Sequence, residues 1–308
     1  MGNCSEAQRY PVPMKRGVLV YNPTAGQRDR RAQMSALIDR QRQRGIELVN
    51  APTSGQGDAT EIVRAFLARG IDLVAVCGGD GTVSEAAAGL ANSPVPLAIL
   101  PGGTTNVLAR ELKIPLDFEG AEALLSDGVP VTLRFAYADH RPFLLWAGAG
   151  FDARIEDRAI GWLKRLMGRM GIAVTAYAEF FRYEFPRLEV TIDGVAHEAT
   201  YAVACRASRY AGNWIIAPDA RLDGGDLDVM LFAHRNRWRL FRLFQHIRAG
   251  RSGHLQNGLA RIVRGREVSI RSLEPYSVEV QLDGDCLLET PVRFRVGTDT
   301  VQILVPKG

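Results

Sequence analysis

The 308-residue chain lacks the features that would place it in several large classes of protein. No run approaches the roughly 18–20 apolar residues that a membrane span requires, and the N-terminus has no apolar core of a secretory signal. The four cysteines show no paired spacing, which argues against a disulfide framework or a zinc site; they are Cys4, Cys77, Cys205 and Cys286. We therefore expect a cytoplasmic protein.

Two common nucleotide-binding signatures are also missing. The absence of Gly-x-x-x-x-Gly-Lys-Ser/Thr excludes a Walker-type kinase, and the absence of Gly-x-Gly-x-x-Gly argues against the usual dinucleotide fold. The five histidines show no metal-ligand spacing. The net charge of +4 suits an anionic partner, either a nucleotide, a nucleic acid or an acidic membrane surface, without choosing among them.

The first part of the chain alternates two kinds of pattern. Gly17–Tyr21 and Leu73–Cys77 are short apolar runs, as expected for buried strands of a sheet. Residues 29–44 and 58–69 carry apolar residues at helical spacing. This order predicts a doubly wound parallel sheet, and we assign residues 12–132 to an α/β nucleotide-binding domain.

The rest of the chain has a different pattern, in which apolar and polar residues alternate singly. Asp193-Gly194 and Asp283-Gly284 are hairpin-type turns between such runs. The pattern predicts a mainly antiparallel β-sandwich domain over residues 133–308, with a last strand able to return to the first domain. Two helical segments are expected near 156–182 and 235–249.

Three glycine-containing segments each follow a predicted strand, and they are Asn22–Gly26, Cys77–Thr82 and Leu100–Asn106. Parallel strands would bring them to one carboxyl edge, where α/β proteins bind ligands. Glycines allow close approach and positive φ, and the helix that follows offers N–H groups to phosphate. Each segment alone could be a tight turn; together they predict a phosphate site.

These segments resemble the catalytic domain of diacylglycerol and sphingosine lipid kinases, especially the soluble bacterial members. The likeness is carried by Asn22-Pro23-x-x-Gly26, by Gly78–Thr82 with Glu85, and by Pro101-x-Gly103-Thr104-x-Asn106. Three later segments resemble further motifs of that family in the same order: Gly148–Asp152, Ala217–Ala220 and Leu282–Asp285.

The resemblance implies ATP and Mg²⁺ as cofactors and a lipid alcohol, diacylglycerol-like or sphingoid, as acceptor. It implies a nucleotide site lined by Asn22, Thr53, Gly78, Gly79, Asp80, Gly81, Thr82, Val83, Ser84, Glu85, Gly103, Thr104 and Asn106. Asp80 would lie near the phosphates and the metal, and Asp152 at the cleft where the acceptor enters. Asp285 stands where the family usually has a glutamate proposed as proton acceptor, one methylene longer.

The candidate carboxylates also suit phosphoryl transfer on chemical grounds, since the reaction needs charge neutralisation and a proton acceptor. The sequence does not rank Asp80, Asp152 and Asp285 as the base. Each of them also has a purely structural interpretation, because Asp285 follows a hairpin turn, Asp152 could cap a helix and Asp80 could be only a turn residue.

The resemblance further implies a structural Mg²⁺ beside an Asn-Asp-Gly turn. Here the turn reads Leu222–Asp226, with Gly224 at the usual aspartate position. The ion is therefore either absent or held by Asp223 or Asp226.

Arg235–Arg248 contains no acidic residue, and its apolar residues recur at helical spacing. Such a helix, with Trp238 and Phe241 as anchors, is typical of a peripheral element on an anionic membrane surface. In this protein we would expect that surface to be the inner face of the membrane. The segment Trp162–Met170 has the same character. Alternatively, both pack on the β domain and expose their arginines. No nucleic-acid-binding module accompanies the positive charge, so we do not expect a nucleic-acid partner. The sequence leaves open whether the chain forms a homodimer.

Two rival functions remain beside a lipid kinase. NAD kinases also use a Gly-Gly-Asp-Gly-Thr loop, although the Thr-Gly-Ser-Thr segment of that family is missing here. The second rival is a non-catalytic regulator that binds a nucleotide or a lipid. It is suggested by Asp285, because the family usually has a glutamate at this position. We expect the lipid kinase, because the three loop motifs occur together and because Asp80 and Asp152 are retained.

Overall fold

Four parallel strands form the N-terminal part of the structure, a computed structural model that describes residues 15–23, 30–158, 177–250 and 252–307. They lie in the order β2-β1-β3-β4, and β3 and β4 are buried at every position, as predicted. Their bounds are β1 Lys15–Tyr21, β2 Ile46–Pro52, β3 Leu73–Gly78 and β4 Leu97–Pro101. The helices of this part are α1 Arg31–Gln43, α2 Asp58–Leu67, α3 Asp80–Gly89, α4 Val107–Glu111 and α5 Phe118–Asp127.

The last strand, β18 (Val292–Val305), joins this sheet to the rest of the molecule. It pairs in parallel with β4 through Ile303 and Leu97, and antiparallel with β5 (Val129–Ala138). Beyond it the sheet continues through β15 (Glu267–Ser272), β8 (Leu188–Ile192) and β9 (Val195–Ala199), while β6 (Arg141–Phe143) pairs with β5. The predicted division at residue 132 falls inside β5, and the domain bounds stay predictions.

A second, antiparallel sheet packs against the distal half of the first. Its order is β14-β13-β10-β7-β16-β17, with bounds Arg261–Gly265, Leu227–Phe232, Tyr201–Cys205, Trp146–Ala149, Glu279–Leu282 and Asp285–Glu289 in that order. Apolar residues of both sheets form one buried cluster, in which the rings of Phe143 and Phe294 lie 6.1 Å apart. The predicted α/β domain followed by an antiparallel β-sandwich is therefore confirmed.

The remaining elements lie around this sandwich. They are α6 Phe151–Arg158, a helical segment at 177–182, α7 Arg237–Ala249, α8 Gly253–Gln256 and the short pair β11 Arg209–Tyr210 and β12 Trp214–Ile215. The predicted helix near 235–249 is observed as α7, whereas most of the one near 156–182, including Trp162–Met170, lies outside the described residues. Within the described parts, no helix is both long and apolar enough to cross a bilayer.

A buried carboxylate connects the two parts at the turn between β16 and β17. Asp283 accepts hydrogen bonds from the backbone N–H groups of Leu144 and Leu145 (both 2.8 Å) and of Trp146 (3.1 Å). It also accepts one from the Ser84 hydroxyl of α3 (2.8 Å). Burial raises the pKa of Asp283, and these four donors oppose the rise. The hairpin turn predicted here is thus also a tie to the nucleotide-side domain.

We expect Asp283→Asn to destabilise the fold by about 2–4 kcal/mol, because an amide N–H would face backbone donors in a dry site. Denaturant unfolding measures the loss. Asp193→Asn is the matched control, since Asp193 occupies an Asp-Gly turn of the same kind and also accepts backbone N–H groups, those of Arg266 and Glu267, but is exposed to water. There we expect less than about 1 kcal/mol. Equal losses in the two variants would contradict the role given to Asp283.

Candidate active site

The two paired-glycine loops pack backbone against backbone at the ends of β3 and β4. The Gly102 N–H donates to the Gly78 carbonyl (2.9 Å), and a Cβ on Gly103 would lie only 2.5 Å from the Gly79 Cα. Glycine is therefore required here for close approach. None of the glycines in these two loops has positive φ, so the expectation that they adopt positive φ is wrong. The chain instead enters α3 through Gly79 in an extended conformation.

Asp80, the first residue of α3, connects the two loops. One carboxylate oxygen accepts from the Thr105 hydroxyl (2.9 Å) and the other from the Leu108 backbone N–H at the start of α4 (3.2 Å). Burial raises the pKa of Asp80, and both hydrogen bonds oppose that rise. Thr105, which the sequence reasoning missed, is therefore part of the site, and Asp80 holds the second loop in place.

The other loop side chains mostly shape the backbone. Thr82 lies against Gly78, where a Cβ would be 2.7 Å from the Thr82 Cβ. Asn106 accepts from the Gly103 N–H (2.9 Å) and donates to the Gly103 carbonyl (3.0 Å), which closes its loop. Thr104 is exposed at the tip of the same loop.

Asn22 and Thr53 lie at the same edge of the sheet, where β1 and β2 end. The Asn22 N–H donates to the Cys77 carbonyl (3.2 Å), and the Thr53 N–H donates to the Tyr21 carbonyl (2.8 Å). Gly26 lies outside the described residues. The structure thus brings the described parts of the three predicted loops to one edge.

Three residues expected in the nucleotide site make other contacts. Val83 is buried in the hydrophobic core, and Ser84 donates to Asp283. Glu85 accepts from the N–H groups of Gly57 (2.8 Å) and Ala59 (3.4 Å), at the start of α2. Burial raises the pKa of Glu85. Their place in the nucleotide site stays a prediction that these contacts do not strengthen.

Arg30 is a basic residue at this edge that the sequence reasoning did not single out. Arg30 lies immediately before α1, and its guanidinium donates to the Gly102 carbonyl (3.1 Å). A guanidinium in this position adds positive charge beside the loops, where phosphate is expected. Its only signal in the sequence is a basic residue shortly after the Asn22–Gly26 segment.

Asp152, which the sequence predicts to lie at the acceptor cleft, is buried at the start of α6. Its carboxylate accepts from the Gln281 side-chain amide (2.9 Å) and the Tyr210 hydroxyl (3.3 Å), and from the N–H of Ala153 (2.8 Å). A Cβ on Gly148 would lie 2.1 Å from this carboxylate, so only glycine fits beneath it. Asp152 therefore does more than cap a helix.

Gln281 links Asp152 to the turn that carries Asp285. Its amide oxygen accepts from the Gly284 N–H (2.8 Å) while its amide N–H groups face Asp152. The Asp285 carboxylate lies beside Gly81 of α3, where a Cβ would be 3.4 Å from the Asp285 Oδ2. The negative charge of Asp285 also contributes to the raised pKa of Glu85. A carboxylate from the second sheet thus lies at the first turn of the glycine-loop helix.

The predicted metal ligands fall into two separate sets, with Asp80 in the glycine loop and Asp223 and Asp226 in the Leu222–Asp226 turn. Asp223 pairs with Arg221 (2.9 Å), which lowers the pKa of that carboxyl, and Asp226 pairs with Arg266 (3.1 Å). No group of three or more His, Cys, Asp or Glu side chains suited to a metal occurs among the residues described. The carboxylates of the Leu222–Asp226 turn are therefore already paired with arginines, and the metal role of Asp223 and Asp226 stays a prediction that these ion pairs do not strengthen. Asp80 does fit a nucleotide-bound ion, since it places a carboxylate, the kind of ligand that Mg²⁺ prefers, between the two glycine loops.

Comparisons with known proteins agree with this geometry. Residues 16–137 match the diacylglycerol kinase catalytic domain, and residues 146–305 match the YegS C-terminal NAD kinase beta sandwich-like domain. A diacylglycerol kinase of Mycobacterium tuberculosis is 30% identical over 295 residues, 93% of this chain and 94% of that protein. The chain belongs to the diacylglycerol kinase family.

Other family members support the same assignment. The diacylglycerol kinase of Bacillus subtilis is 26% identical over 96% of this chain and 97% of its own length. A Bacillus anthracis crystal structure, solved as a candidate diacylglycerol kinase, superimposes with a TM-score of 0.74 at 25% identity and covers 98% of both chains. The resemblance read from the sequence is confirmed, and NAD kinase enters only through the fold of the β-sandwich domain.

We expect Gly103→Ala to raise the KM for ATP and to destabilise the protein by about 1–3 kcal/mol, because the added methyl would push the two loops apart. Initial-rate kinetics and denaturant unfolding measure the two effects. Gly225→Ala is the control, since a Cβ there meets no atom within 4 Å. An alanine at 103 that behaves like this control would refute the close-packing argument.

Proposed function

We propose that this family member transfers the γ-phosphate of ATP to the hydroxyl of a lipid alcohol, diacylglycerol-like or sphingoid. Membership of a kinase family supports the phosphoryl donor. The observation that carries the acceptor side is the position of Asp285, whose carboxylate lies beside Gly81 at the first turn of α3. Donor loops and a candidate base then share one cleft.

The donor side would be bound mainly by backbone groups. The first turn of α3 offers N–H groups and the positive end of its dipole to phosphate, and Arg30 adds a cation nearby. Asp80 would hold Mg²⁺, which neutralises phosphate charge when it is bound. Because Asp80 also accepts a hydrogen bond from Thr105, it would keep the two loops in fixed positions around the nucleotide.

The two acceptor-side aspartates would divide the remaining work. Asp152 is only 4% exposed and already accepts hydrogen bonds from Gln281, Tyr210 and Ala153, which suits a positioning residue. Asp285 would take the proton from the acceptor hydroxyl, because it lies at the first turn of α3. Gln281 would keep the two carboxylates in fixed relation.

The proposed function is tested by incubating the protein with Mg²⁺-ATP and a panel of lipid alcohols, with NAD as a separate arm, and resolving products by mass. We expect a phosphorylated lipid alcohol and no NADP. Formation of NADP would favour the hypothesis of an NAD kinase, and no transfer to any acceptor would favour a non-catalytic regulator. Either result would contradict the proposal.

We expect Asp285→Asn to lower kcat by about 10²–10⁴-fold, because it removes the proton acceptor, while the KM for ATP changes little. Asp285→Glu restores the residue usual in the family and should keep most of the activity. Glu289→Gln, at the exposed far end of β17, is the control and should match the unaltered protein. A wild-type rate for Asp285→Asn would remove this residue from the mechanism.

A docking surface for the membrane is proposed from exposed aromatic side chains on α7 and on the 177–182 segment. Four of them are between 46% and 70% exposed: Tyr177, Phe181, Trp238 and Phe241. Their rings meet around Phe180, whose ring centroid lies 6.3 Å from those of both Trp238 and Phe241. Such a contiguous apolar patch marks an interaction site rather than ordinary surface.

The charge around the docking surface favours an anionic bilayer as the occupant. Five exposed arginines lie on or beside α7, namely Arg235, Arg237, Arg239, Arg242 and Arg248. The opposite face of α7 is buried through Leu240, Leu243 and Ile247, so the helix packs on the protein and also presents its aromatics. Phe244 of α7 lies 5.5 Å from Phe151, the neighbour of Asp152. A lipid bound there would be near the acceptor cleft.

We expect the double change Trp238→Ser and Phe241→Ser to weaken binding to vesicles rich in phosphatidylglycerol roughly tenfold, through lost burial of the two rings. Vesicle sedimentation measures it. The pair Leu116→Ser and Val195→Ser, exposed aliphatic residues elsewhere, should leave binding unchanged. Unchanged sedimentation of the aromatic variant, or a dimer that only this variant loses, would overturn the docking surface.

A further inference from the structure

A completely buried arginine lies beneath the Leu222–Asp226 turn. Arg206 directly follows β10 and is 0% exposed. Its guanidinium donates to four backbone carbonyls, those of Leu222 (2.5 Å), Gly224 (2.8 Å), Asp226 (3.2 Å) and Arg134 (3.2 Å). Three of the four oxygens belong to the turn, so a single cation gathers its carbonyls from one side.

The surroundings of Arg206 keep it charged. Burial lowers the pKa of the guanidinium to about 10, while the carboxylates of Asp223 and Asp226 oppose that change. A pKa near 10 leaves the group protonated at neutral pH. One cation surrounded by carbonyl oxygens, with carboxylates nearby, resembles the oxygen environment that a hard divalent ion prefers.

The composition of the turn agrees with a bound guanidinium. Gly224 stands at the position where an aspartate would serve a metal, and its carbonyl accepts from Arg206 instead. The two carboxylates of the turn are paired with arginines on its outer side, Asp223 with Arg221 and Asp226 with Arg266.

We propose that the guanidinium of Arg206 replaces a structural divalent cation, so that this chain holds the Leu222–Asp226 turn without a metal ion. The proposal stands apart from the kinase function, because it concerns how the fold is held. It has one consequence for that function: dependence of activity on divalent ions would come from the nucleotide alone.

Arg206 also connects the turn to the site. The backbone N–H groups of Arg206 and Ala207 donate to the Leu145 carbonyl (2.8 and 3.1 Å), and the Leu145 N–H donates to Asp283. The backbone of Arg206 is therefore tied to the segment that Asp283 holds, while its guanidinium holds the turn.

The first test uses the unaltered, nucleotide-free protein. Thermal unfolding in EDTA, Mg²⁺ and Ca²⁺ should give Tm values within about 1 °C of one another, since a ligand stabilises only what it binds. Metal analysis after gel filtration in metal-free buffer should find far less than one divalent ion per chain. A clear fall of Tm in EDTA, or one retained ion per chain, would overturn the proposal.

The second test changes the arginine. Arg206→Met should lower Tm by roughly 5–10 °C, because four carbonyls lose their buried donor, and Arg206→Lys should lower it as well, since an ammonium cannot span all four. Arg221→Met is the control, since Arg221 is exposed, directly precedes the turn and pairs with its Asp223. This change should alter Tm by less than about 2 °C. Arg206 variants as stable as this control would refute the proposal; if the Met variant does not fold, the Lys variant and the metal analysis decide.

Discussion

The hydrogen bonds to the Asp283 carboxylate fix the geometry on which the candidate active site depends. Its donors come from α3 and from residues 144–146, which lead into β7, so one buried group joins α3 to the antiparallel sheet. Because Asp283 is held, the two following residues are placed as well, and Asp285 reaches the first turn of α3. Arg206 extends the same network through Leu145 to the Leu222–Asp226 turn.

The chemistry proposed for the cleft follows from this placement. Backbone groups at the edge of a parallel sheet suit phosphate, since glycines allow the loops to pack closely and α3 adds its positive end. The Asp285 carboxylate of the second sheet lies beside the first turn of α3, and Gln281 connects its turn to Asp152 at the start of α6. The proposed docking surface lies partly on α7, whose Phe244 contacts Phe151 next to Asp152, and it would bring a lipid hydroxyl to that side of the cleft.

The sequence predicted the features that local chemistry determines, and missed those that depend on distant contacts. Paired glycines after apolar runs were enough to predict the loops and the parallel sheet, and alternation predicted the sandwich. The role of Asp283 could not be found, since its backbone donors lie 137–139 residues earlier in the chain. Arg206 is one of 38 basic residues, and only burial distinguishes it. Glu85 matched a motif, yet its contacts are with α2.

The most direct test of this account is a crystal structure of the protein with Mg²⁺ and a non-hydrolysable ATP analogue. We expect the phosphates at the first turn of α3, between the Gly79 and Gly103 loops, with Asp80 on the metal side and Asp285 facing the γ-phosphate. A nucleotide bound away from both loops, or an Asp285 carboxylate remote from the γ-phosphate, would contradict it.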